Sequence, residues 1–303
     1  MKSKRITLSV VLATKNEEEN IGDCLKSVKD IADEIIVFDE ESEDKTKEIA
    51  EKFGAEVFTV KHEPIFHKTK QKAIDKAKGD WILQLDADER VTHGLADEIL
   101  KVIGLSKEQI EKRKPEDKKK WKLFQRHQML IEKRSGTNIQ KSDEYVAFYV
   151  PRVNYFLGKP LKHAGVYPDG VIRLFKKGKA YLPSKSVHEL MEIKGKTAWL
   201  FNDLEHHDSP NLKRYLERAN RYTDLTAKQY RKDGVSLTYF NLFKYSFIVP
   251  SINFVKLFFR HKGFRDGMNG FIWSLFSSFH FPIAYFKYYT DEKNRTFSGK
   301  LTV

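Results

Sequence analysis

Short apolar runs alternate with charged stretches along the first third of the chain. The runs cover residues 8–13, 34–38, 56–60 and 81–85. Nearly unbroken apolar runs of this length are typical of parallel strands that are buried on both faces. The stretches between them, such as ENIGDCLKSV, place apolar residues at helical spacing. This alternation predicts a doubly wound, mostly parallel α/β sheet with right-handed crossovers.

The ends of two helices can also be predicted. The helix within SEDKTKEIAEKF is expected to be capped at its start by the side chain of Ser42 or Asp44. Gly79 is expected to be the C-cap of the helix that contains TKQKAIDKAK.

Polar residues follow the carboxyl ends of three predicted strands. They are the pair Asn16-Glu17, Asp39, and the motif Asp86-Ala87-Asp88. In open parallel sheets, ligands bind at the carboxyl ends of the strands. We therefore expect all three groups to face one crevice.

The chain is predicted to contain four regions. Residues 1–103 form the α/β half just described, and residues 104–142 form a charged helical insertion. Residues 143–210 have strand and turn character, and residues 211–303 become helical and strongly aromatic. The charged run KEQIEKRKPEDKKKWK either contacts acidic lipid or RNA, or is a solvated helix face, which is the commoner case.

The aromatic end of the chain allows three interpretations. Its longest charge-free stretch, residues 267–286, reaches the length of a membrane span but contains Asn269, His280 and Pro282. The earlier segment YFNLFKYSFIVPSINFVKLFF is interrupted by Lys244 and Pro250. Two of the interpretations are that these helices pack in the core or in a dimer interface, and that they form a true membrane span. The mixture of Phe with Lys and Arg favours helices that lie in the plane of an anionic membrane surface.

The composition narrows the class of protein further. Fifty-five Lys and Arg residues against 42 Asp and Glu give a net charge of +13, which favours an anionic partner. The single cysteine, Cys24, excludes an intramolecular disulfide framework and a cysteine-cluster metal site, and it favours a reducing compartment. The apolar run at residues 6–13 is too short for a signal peptide, so we expect no export.

Asp86 and Asp88 carry the sharpest chemical signal. We expect alternation along an extended chain to direct both carboxylates to similar sides. Two carboxylates so close repel each other unless a cation lies near them, and hard oxygen ligands select Mg²⁺ or Mn²⁺. Such a metal would neutralise a diphosphate leaving group. Neither a G-x-G-x-x-G nor a G-x-x-x-x-G-K-[ST] loop is present, which argues against a dinucleotide dehydrogenase and a P-loop ATPase.

Three runs, LSVVLATKNEEENIGDCLKSV, IIVFDEESEDKTKEIA and KGDWILQLDADERV, together resemble the nucleotide-binding half of glycosyltransferase family 2. The downstream run YVPRVNYFLGKPLKH…VYPDGVIRLFKKGKAYLP…VHE resembles the bacterial lipopolysaccharide-core glucosyltransferase-like branch of that family. The resemblance implies a GT-A fold, inversion at the anomeric carbon and a divalent metal, Mg²⁺ or Mn²⁺. The departures from the family pattern are Glu40, where a small Ser is usual, and Ala73, where Asn often follows Gln71-Lys72.

The resemblance implies roles for particular residues. Asp39 would accept from the nucleobase, Asp86 would lie toward the ribose, and Lys72 would face the nucleotide or a phosphate. Independently of the resemblance, Arg173 in the strand-like stretch IRLF is expected to bridge to a phosphate or to the catalytic carboxylate, with a structural ion pair as the alternative. The complete expected donor and metal sets are Thr14, Asn16, Glu17, Asp39, Lys72, Asp86 and Arg173 for the donor, and Asp88 with His207 for the metal.

The general base must accept a proton from the attacking hydroxyl, which suits a carboxylate beyond the D-x-D motif. The His-Glu pair of the branch falls on His188-Glu189, so Glu189 is the expected base. Asp169, in a Pro-Asp-Gly sequence that is equally a plain turn, is the reserve candidate. Trp199 and Tyr167 are candidates for stacking on an acceptor sugar, with core packing as the alternative.

The sequence therefore predicts an inverting glycosyltransferase that moves a sugar, with UDP the favoured nucleotide, to a glycolipid or lipid-linked acceptor in cell-envelope polysaccharide synthesis. It is expected to be cytoplasmic, on the inner face of the cytoplasmic membrane, with no nucleic-acid partner. Two alternatives stay open: a basic nucleic-acid-binding protein, which a steep salt dependence of RNA binding would reveal, and a non-catalytic sugar-nucleotide scaffold.

Overall fold

A computed structural model of the protein describes residues 5–115, 117–135, 142–183 and 190–298. Two compact units are distinguished within it. The first unit contains residues 1–153 and 168–206, and the second contains residues 154–167 and 207–303.

The predicted strands of the first 103 residues are all present, and further strands follow. The strands are β1 (Leu8–Thr14), β2 (Glu34–Asp39), β3 (Glu56–Thr59), β4 (Trp81–Leu85), β5 (Glu89–Val91), β6 (Tyr145–Phe156), β7 (Lys159–Pro160), β8 (Asp169–Lys176), β9 (Ala180–Tyr181), β10 (Glu192–Ile193), β11 (Lys196–Trp199) and β12 (Leu204–Ser209).

Helices connect the first strands and make up most of the second unit. They are α1 (Ile21–Val28), α2 (Thr46–Lys52), α3 (Phe66–Lys76), α4 (His93–Val102), α5 (Lys107–Lys112), α6 (Lys118–Ser135), α7 (Leu212–Lys232), α8 (Tyr239–Phe243), α9 (Val249–Val255) and α10 (Gly267–Ser298).

The main sheet runs in the order β3-β2-β1-β4-β8-β6-β12-β5. β3, β2, β1 and β4 are parallel, whereas β8 pairs antiparallel with β4. The chain moves outward from β1 to β2 and then returns to the other side of β1 as β4, so the strand order reverses beside β1. Parallel sheets open a ligand crevice at such a point. The α/β fold class with a mostly parallel sheet, predicted from the sequence, is confirmed.

Apolar side chains from the first four strands and their helices form the core of the first unit. Residues 8 to 14 of β1 are all buried, as expected for a strand covered on both faces. α1 packs its apolar stripe of Ile21, Cys24, Leu25 and Val28 into the same cluster. This core holds the carboxyl ends of β1, β2 and β4 level with one another, because Asp39 lies opposite Thr14 and Leu85 lies opposite Leu12.

Two helix-end predictions need correction. α2 begins at Thr46, and its N-cap residue is Lys45, whose side chain makes no capping bond. Asp44 nevertheless accepts a hydrogen bond from the backbone N–H of Thr46 at 2.9 Å. The prediction for Gly79 is wrong, because α3 ends at Lys76. Gly79 instead lies against β1, where a Cβ atom would approach Ser9 Oγ to 2.5 Å.

The charged insertion is helical at α5 and α6 and is not solvated on all sides. Phe124 of α6 is fully buried and stacks on Trp199 with 4.5 Å between ring centroids. Trp199 also stacks on Tyr149 at 5.1 Å, and only 2% of it is exposed. Both faces of this indole are therefore covered, so Trp199 belongs to the core rather than to a sugar-stacking surface.

The second unit contains a long aromatic helix, Tyr239–Arg260, made of α8, α9 and two π-helical turns. The sequence-based expectation that Lys244 and Pro250 interrupt this segment is wrong. Pro250 follows the π-helical turn at residues 244–248, so the helix continues past the proline with a locally altered hydrogen-bond pattern. Among the described residues, this is the helix long and apolar enough to cross a membrane by length and composition.

Candidate active site

Asp39 ends β2 and is held by its neighbours in β1 and the following loop. It is almost fully buried. Thr14 Oγ1 donates to one carboxylate oxygen at 3.2 Å, and the backbone N–H of Ser42 donates to the other at 2.9 Å. These bonds orient the Asp39 carboxylate at the carboxyl edge of the sheet, as the sequence predicts.

Asn16 and Glu17 are occupied in holding the same edge together. Asn16 adopts a left-handed backbone conformation with φ of 54°, which asparagine tolerates better than most residues. Its side-chain oxygen accepts from the backbone N–H of Glu43 at 2.9 Å. Glu17 receives a hydrogen bond from Asn20 at 2.7 Å. Both side chains shape the loops after β1 and β2.

Asp86, directly after β4, is held between two cations. Lys70 of α3 forms an ion pair with one carboxylate oxygen, and Arg173 of β8 donates to the other at 2.5 Å. Burial alone would raise the pKa of Asp86, but the charges of Arg173 and Lys70 outweigh it and hold this pKa well below the usual value. Asp86 is therefore ionised and fixed in position at neutral pH.

A buried charge network lies behind Asp86. Glu89 is fully buried and accepts from Arg152 at 3.1 Å and from Arg173 at 2.7 Å. Arg173 also donates to the side-chain oxygen of Gln84 at 2.6 Å. Arg152 donates to Asp169 at 2.9 and 2.6 Å. Burial alone would lower the pKa of each arginine, but the carboxylates beside it more than compensate and raise it.

Asp88 lies apart from this network. Residues 86–89 form a turn, in which Glu89 N–H donates to the Asp86 carbonyl at 3.0 Å. The expectation that strand alternation directs both aspartates to one side is therefore wrong. Asp88 pairs with Nε2 of His206 on β12, at 3.5 Å. Burial raises the pKa of Asp88, and the hydrogen bond and charge of His206 lower it further than burial raises it.

The residues predicted beside the donor are thus only partly brought together. Thr14, Asp39, Asp86 and Arg173 gather along the ends of β1, β2, β4 and on β8. Lys72 does not join them, because its ammonium group pairs with Glu63 at 3.1 Å. The lysine that reaches Asp86 is Lys70, two residues earlier on α3.

The structure separates the predicted metal ligand His207 and the two candidate bases. The ring of His207 stacks on Tyr155 in the second unit, with 4.2 Å between centroids. Asp169 is bound to Arg152, which stabilises its ionised form and makes it a weaker base. Glu189 lies outside the described residues.

Sequence reasoning missed four residues of this site, and it chose His207 as the metal ligand instead of His206. Two signals were available. Lys70 follows Thr69, which is buried on the sheet-facing side of α3, and Glu89 directly follows the D-x-D motif. Gln84 lies two residues before Asp86 on β4, whereas Arg152 and His206 become neighbours of the motif through antiparallel pairing of distant strands, which no local pattern predicts.

Comparison with known proteins places this geometry in a family. Residues 9–151 match the sequence model of glycosyl transferase family 2. An uncharacterised glycosyltransferase of Rickettsia typhi is 26% identical over 90% of this chain and 83% of its own length. The lipopolysaccharide core biosynthesis glycosyltransferase LpsC of Rhizobium meliloti is 24% identical over 88% of this chain and 86% of its own length.

Solved structures give weaker likenesses. Glucosyl-3-phosphoglycerate synthase from Mycobacterium tuberculosis, in complex with Mn²⁺, UDP-glucose and phosphoglyceric acid, aligns with 28% of this chain and 34% of its own at 29% identity, with a TM-score of 0.26. TarS of S. aureus aligns with 87% of this chain and 46% of its own at 16% identity, with a TM-score of 0.40. The matched residues 9–151 include the D-x-D turn at the end of β4, so this part of the chain is a domain of glycosyltransferase family 2.

Proposed function

We propose that the protein is a metal-dependent inverting glycosyltransferase that transfers a sugar from a nucleotide-sugar donor, UDP-sugar in the first instance, to a hydroxyl of a glycolipid or lipid-linked saccharide. The observation that carries the proposal is that Asp39 ends β2 on one side of β1, while Asp86 directly follows β4 on the other side of β1, at the same edge of the parallel sheet. The named activity of LpsC supports a role in cell-envelope polysaccharide synthesis.

The donor side of the reaction falls to residues at this edge. Asp39, fixed by Thr14 and Ser42, would accept hydrogen bonds from the base. Asp86, fixed by Lys70 and Arg173, would accept from a ribose hydroxyl. Because their supporting bonds form within the protein, both carboxylates are oriented before the donor binds, which reduces the entropy lost on binding.

Asp88 with His206 would hold the divalent metal. The carboxylate oxygen suits either Mn²⁺ or Mg²⁺, whereas the imidazole nitrogen favours Mn²⁺ over the harder Mg²⁺. No group of three or more His, Cys, Asp and Glu that could hold a metal occurs among the described residues, so diphosphate oxygens and water would complete the shell. When bound, the metal would neutralise charge on the departing diphosphate. This replaces the predicted ligand His207 with its neighbour His206.

The acceptor hydroxyl requires a base, and Glu189 is proposed for it. Asp169 is less suited because Arg152 binds it through two hydrogen bonds. We place the reaction at the cytoplasmic face of the membrane, where a lipid-linked acceptor and a nucleotide sugar can meet.

The test is a thermal-shift screen with UDP-, GDP-, ADP- and dTDP-sugars, with and without Mn²⁺. One donor is expected to raise the midpoint only when Mn²⁺ is present, because a ligand that binds the native state stabilises it. Asp88→Asn should abolish the Mn²⁺-dependent part and lower turnover about 10²–10³-fold. A full Mn²⁺ response in that variant would contradict the metal assignment.

The same assay separates the base from the donor site. Glu189→Gln should lower turnover and leave the donor-induced shift unchanged, whereas the matched control Glu192→Gln, on an exposed residue of β10, should change neither. If Glu189→Gln instead abolishes the donor shift, its role as the base is wrong.

A further inference from the structure

The aromatic helix and the first part of α10 expose apolar side chains that soluble proteins normally bury. All twelve phenylalanines from Phe240 to Phe286 are partly or fully exposed. On the aromatic helix, Phe240, Phe243, Phe247, Val255 and Phe259 are exposed at intervals of three, four or eight residues, so they follow one another along one side. At 1.5 Å per residue, this side is about 30 Å long. A continuous apolar surface of this length indicates an apolar partner.

The interior between these helices contains, beside the buried Tyr285, a row of small and polar residues. The aromatic helix and α10 run antiparallel, since Tyr245 stacks on Tyr285 and Asn253 bonds to Ser278. Ser274 and Ser278, four residues apart on α10, are buried and donate to backbone carbonyls of their own helix at 2.7 Å.

Gly270 continues the same row one turn earlier. It is packed so closely that a Cβ atom there would lie 1.9 Å from the carbonyl oxygen of Gly263. A Gly-xxx-Ser-xxx-Ser row between helices, with phenylalanine outside, is the arrangement that suits helices in contact with lipid.

The charges around this surface have one sign. Residues 234–265 contain no Asp or Glu, and Lys256, Arg260, Lys262 and Arg265 are exposed near the turn that joins the two helices. The next acidic residue, Asp266, turns inward and accepts from the backbone N–H of His163 at 2.8 Å. The surface is therefore apolar with a basic margin, which complements an anionic lipid headgroup layer.

α7 of the same unit provides an internal contrast. It also exposes apolar residues, namely Leu216, Tyr222 and Leu225. On this helix, however, the exposed acidic residues Glu217 and Asp224 are interspersed with basic ones. Mixed charges of this kind are typical of a solvated helix face.

We propose that the exposed side of the aromatic helix and the first half of α10 lie in the interface of an anionic bilayer, with the helix axes in the membrane plane. An in-plane arrangement lets Lys256, Arg260 and Arg265 reach the headgroups while the phenylalanines enter the acyl boundary. A crossing would instead carry the basic turn through the hydrocarbon. This inference rests on the proposed function for its meaning, because a bilayer is where a lipid-linked acceptor resides, but its test uses no transfer reaction.

The first experiment is flotation of the full chain with vesicles of phosphatidylcholine alone or with added phosphatidylglycerol. The wild-type protein should float only with the anionic vesicles. Phe243→Ser/Phe247→Ser/Phe259→Ser should reduce the bound fraction at least about tenfold, because burial of each ring is lost. The matched control Leu216→Ser/Tyr222→Ser/Leu225→Ser should float like wild type. Equal losses in both variants, or none in the first, would overturn the proposal.

A second pair of variants tests the basic margin independently of the aromatic residues. Lys256→Glu/Arg260→Glu/Arg265→Glu should remove the preference for phosphatidylglycerol, because basic residues near an anionic leaflet contribute about 1 kcal/mol each, or roughly fivefold in affinity. Lys213→Glu/Arg221→Glu/Lys228→Glu changes the net charge equally on α7 and should keep the preference. Circular dichroism of all four variants should show unchanged helix content. If the two charge variants behave alike, binding follows overall charge and the assignment to this surface is wrong.

Labelling decides between the in-plane surface, a span and a second copy of the chain. Cys24 is fully buried, so Arg265→Cys supplies the accessible thiol. With protein bound to vesicles, an impermeant maleimide added outside should label Arg265→Cys. Protection of that thiol inside the vesicle would overturn the in-plane arrangement.

Sedimentation without vesicles tests for a second copy of the chain. If the wild-type protein is a dimer and the triple Phe→Ser variant is a monomer, the surface serves self-association and the membrane proposal is wrong. If the protein fails to float but still shows the donor-induced thermal shift, the membrane proposal is wrong and the proposed transferase function is unaffected. If it floats but shows no donor-induced shift, the proposed function is wrong and the membrane proposal is unaffected.

Discussion

The sheet edge of the first unit and the helices of the second unit distribute polarity in opposite ways. In the first unit, Phe124, Phe148 and Phe175 are fully buried. In the second unit, Ser274 and Ser278 are buried while Phe247 and Phe259 are exposed. Both arrangements come from one chain, so the difference reflects the surroundings that each surface is built for rather than composition alone.

Buried polar groups also have different roles in the two units. At the sheet edge, the buried charges of Asp86 and Arg173 are paired, and their pairing orients Asp86 for a ligand. Between the helices of the second unit, buried hydroxyls bond to backbone carbonyls and let the helices approach closely. A buried group at the sheet edge therefore has electrostatic consequences when it is changed, whereas a buried group between the helices has steric ones.

The largest effect is expected from removing the central cation of the sheet edge. Arg173→Met should lower the free energy of unfolding by about 3–5 kcal/mol, because Glu89 and Asp86 would be left as buried, undercompensated charges. The measurement is urea denaturation at neutral pH. Lys72→Met, which breaks an exposed pair with Glu63, should change the midpoint little.

Adding Glu89→Gln to Arg173→Met should restore part of this loss, because it removes one of the unpaired charges. A loss below about 1 kcal/mol in the single variant would mean that these charges are hydrated.

Smaller changes in the free energy of unfolding are expected in the second unit, where a buried serine should matter more than an exposed phenylalanine. Ser274→Leu should destabilise the unit by about 1–3 kcal/mol, because the larger side chain has no room between the helices. Phe247→Ser should change the free energy of unfolding by less than about 0.5 kcal/mol in the absence of lipid, because the ring is 61% exposed. Urea denaturation followed by circular dichroism measures both. If Phe247→Ser is the more destabilising change, the helices pack like those of an ordinary soluble core.

The smallest effect concerns the two lysines of α3. Lys70→Met should lower turnover at least about tenfold, because a hydrogen bond to a charged group contributes ~1.5–3 kcal/mol and its loss frees the Asp86 carboxylate. Lys72→Met should leave turnover close to wild type. Steady-state kinetics with the donor found in the thermal-shift screen provides the comparison. A larger effect from Lys72→Met would restore the original sequence-based assignment.

Local patterns were sufficient for the fold of the first unit. The apolar runs predicted β1, β2, β3 and β4, and every residue of β1 and β4 is buried, as in parallel strands covered on both faces. The helices between these strands are indicated by the spacing of their apolar residues. Asp39 and Asp86 were predictable for the same reason, since each directly follows such a run. Helix ends were less predictable. Gly79 is the residue type expected at a C-cap, but glycine is needed there because the backbone packs closely against Ser9.

The sequence by itself determined the α/β alternation, the position of the D-x-D motif after a buried strand, and the concentration of phenylalanine and basic residues near the end of the chain. Only the tertiary structure decided which side chains meet. Lys70 rather than Lys72 reaches Asp86 because the rotation of α3 against the sheet selects it, and His206 rather than its neighbour approaches Asp88 because β12 pairs with β5. Such contacts depend on strand register and helix rotation, which are set by packing across the whole unit rather than by neighbouring residues.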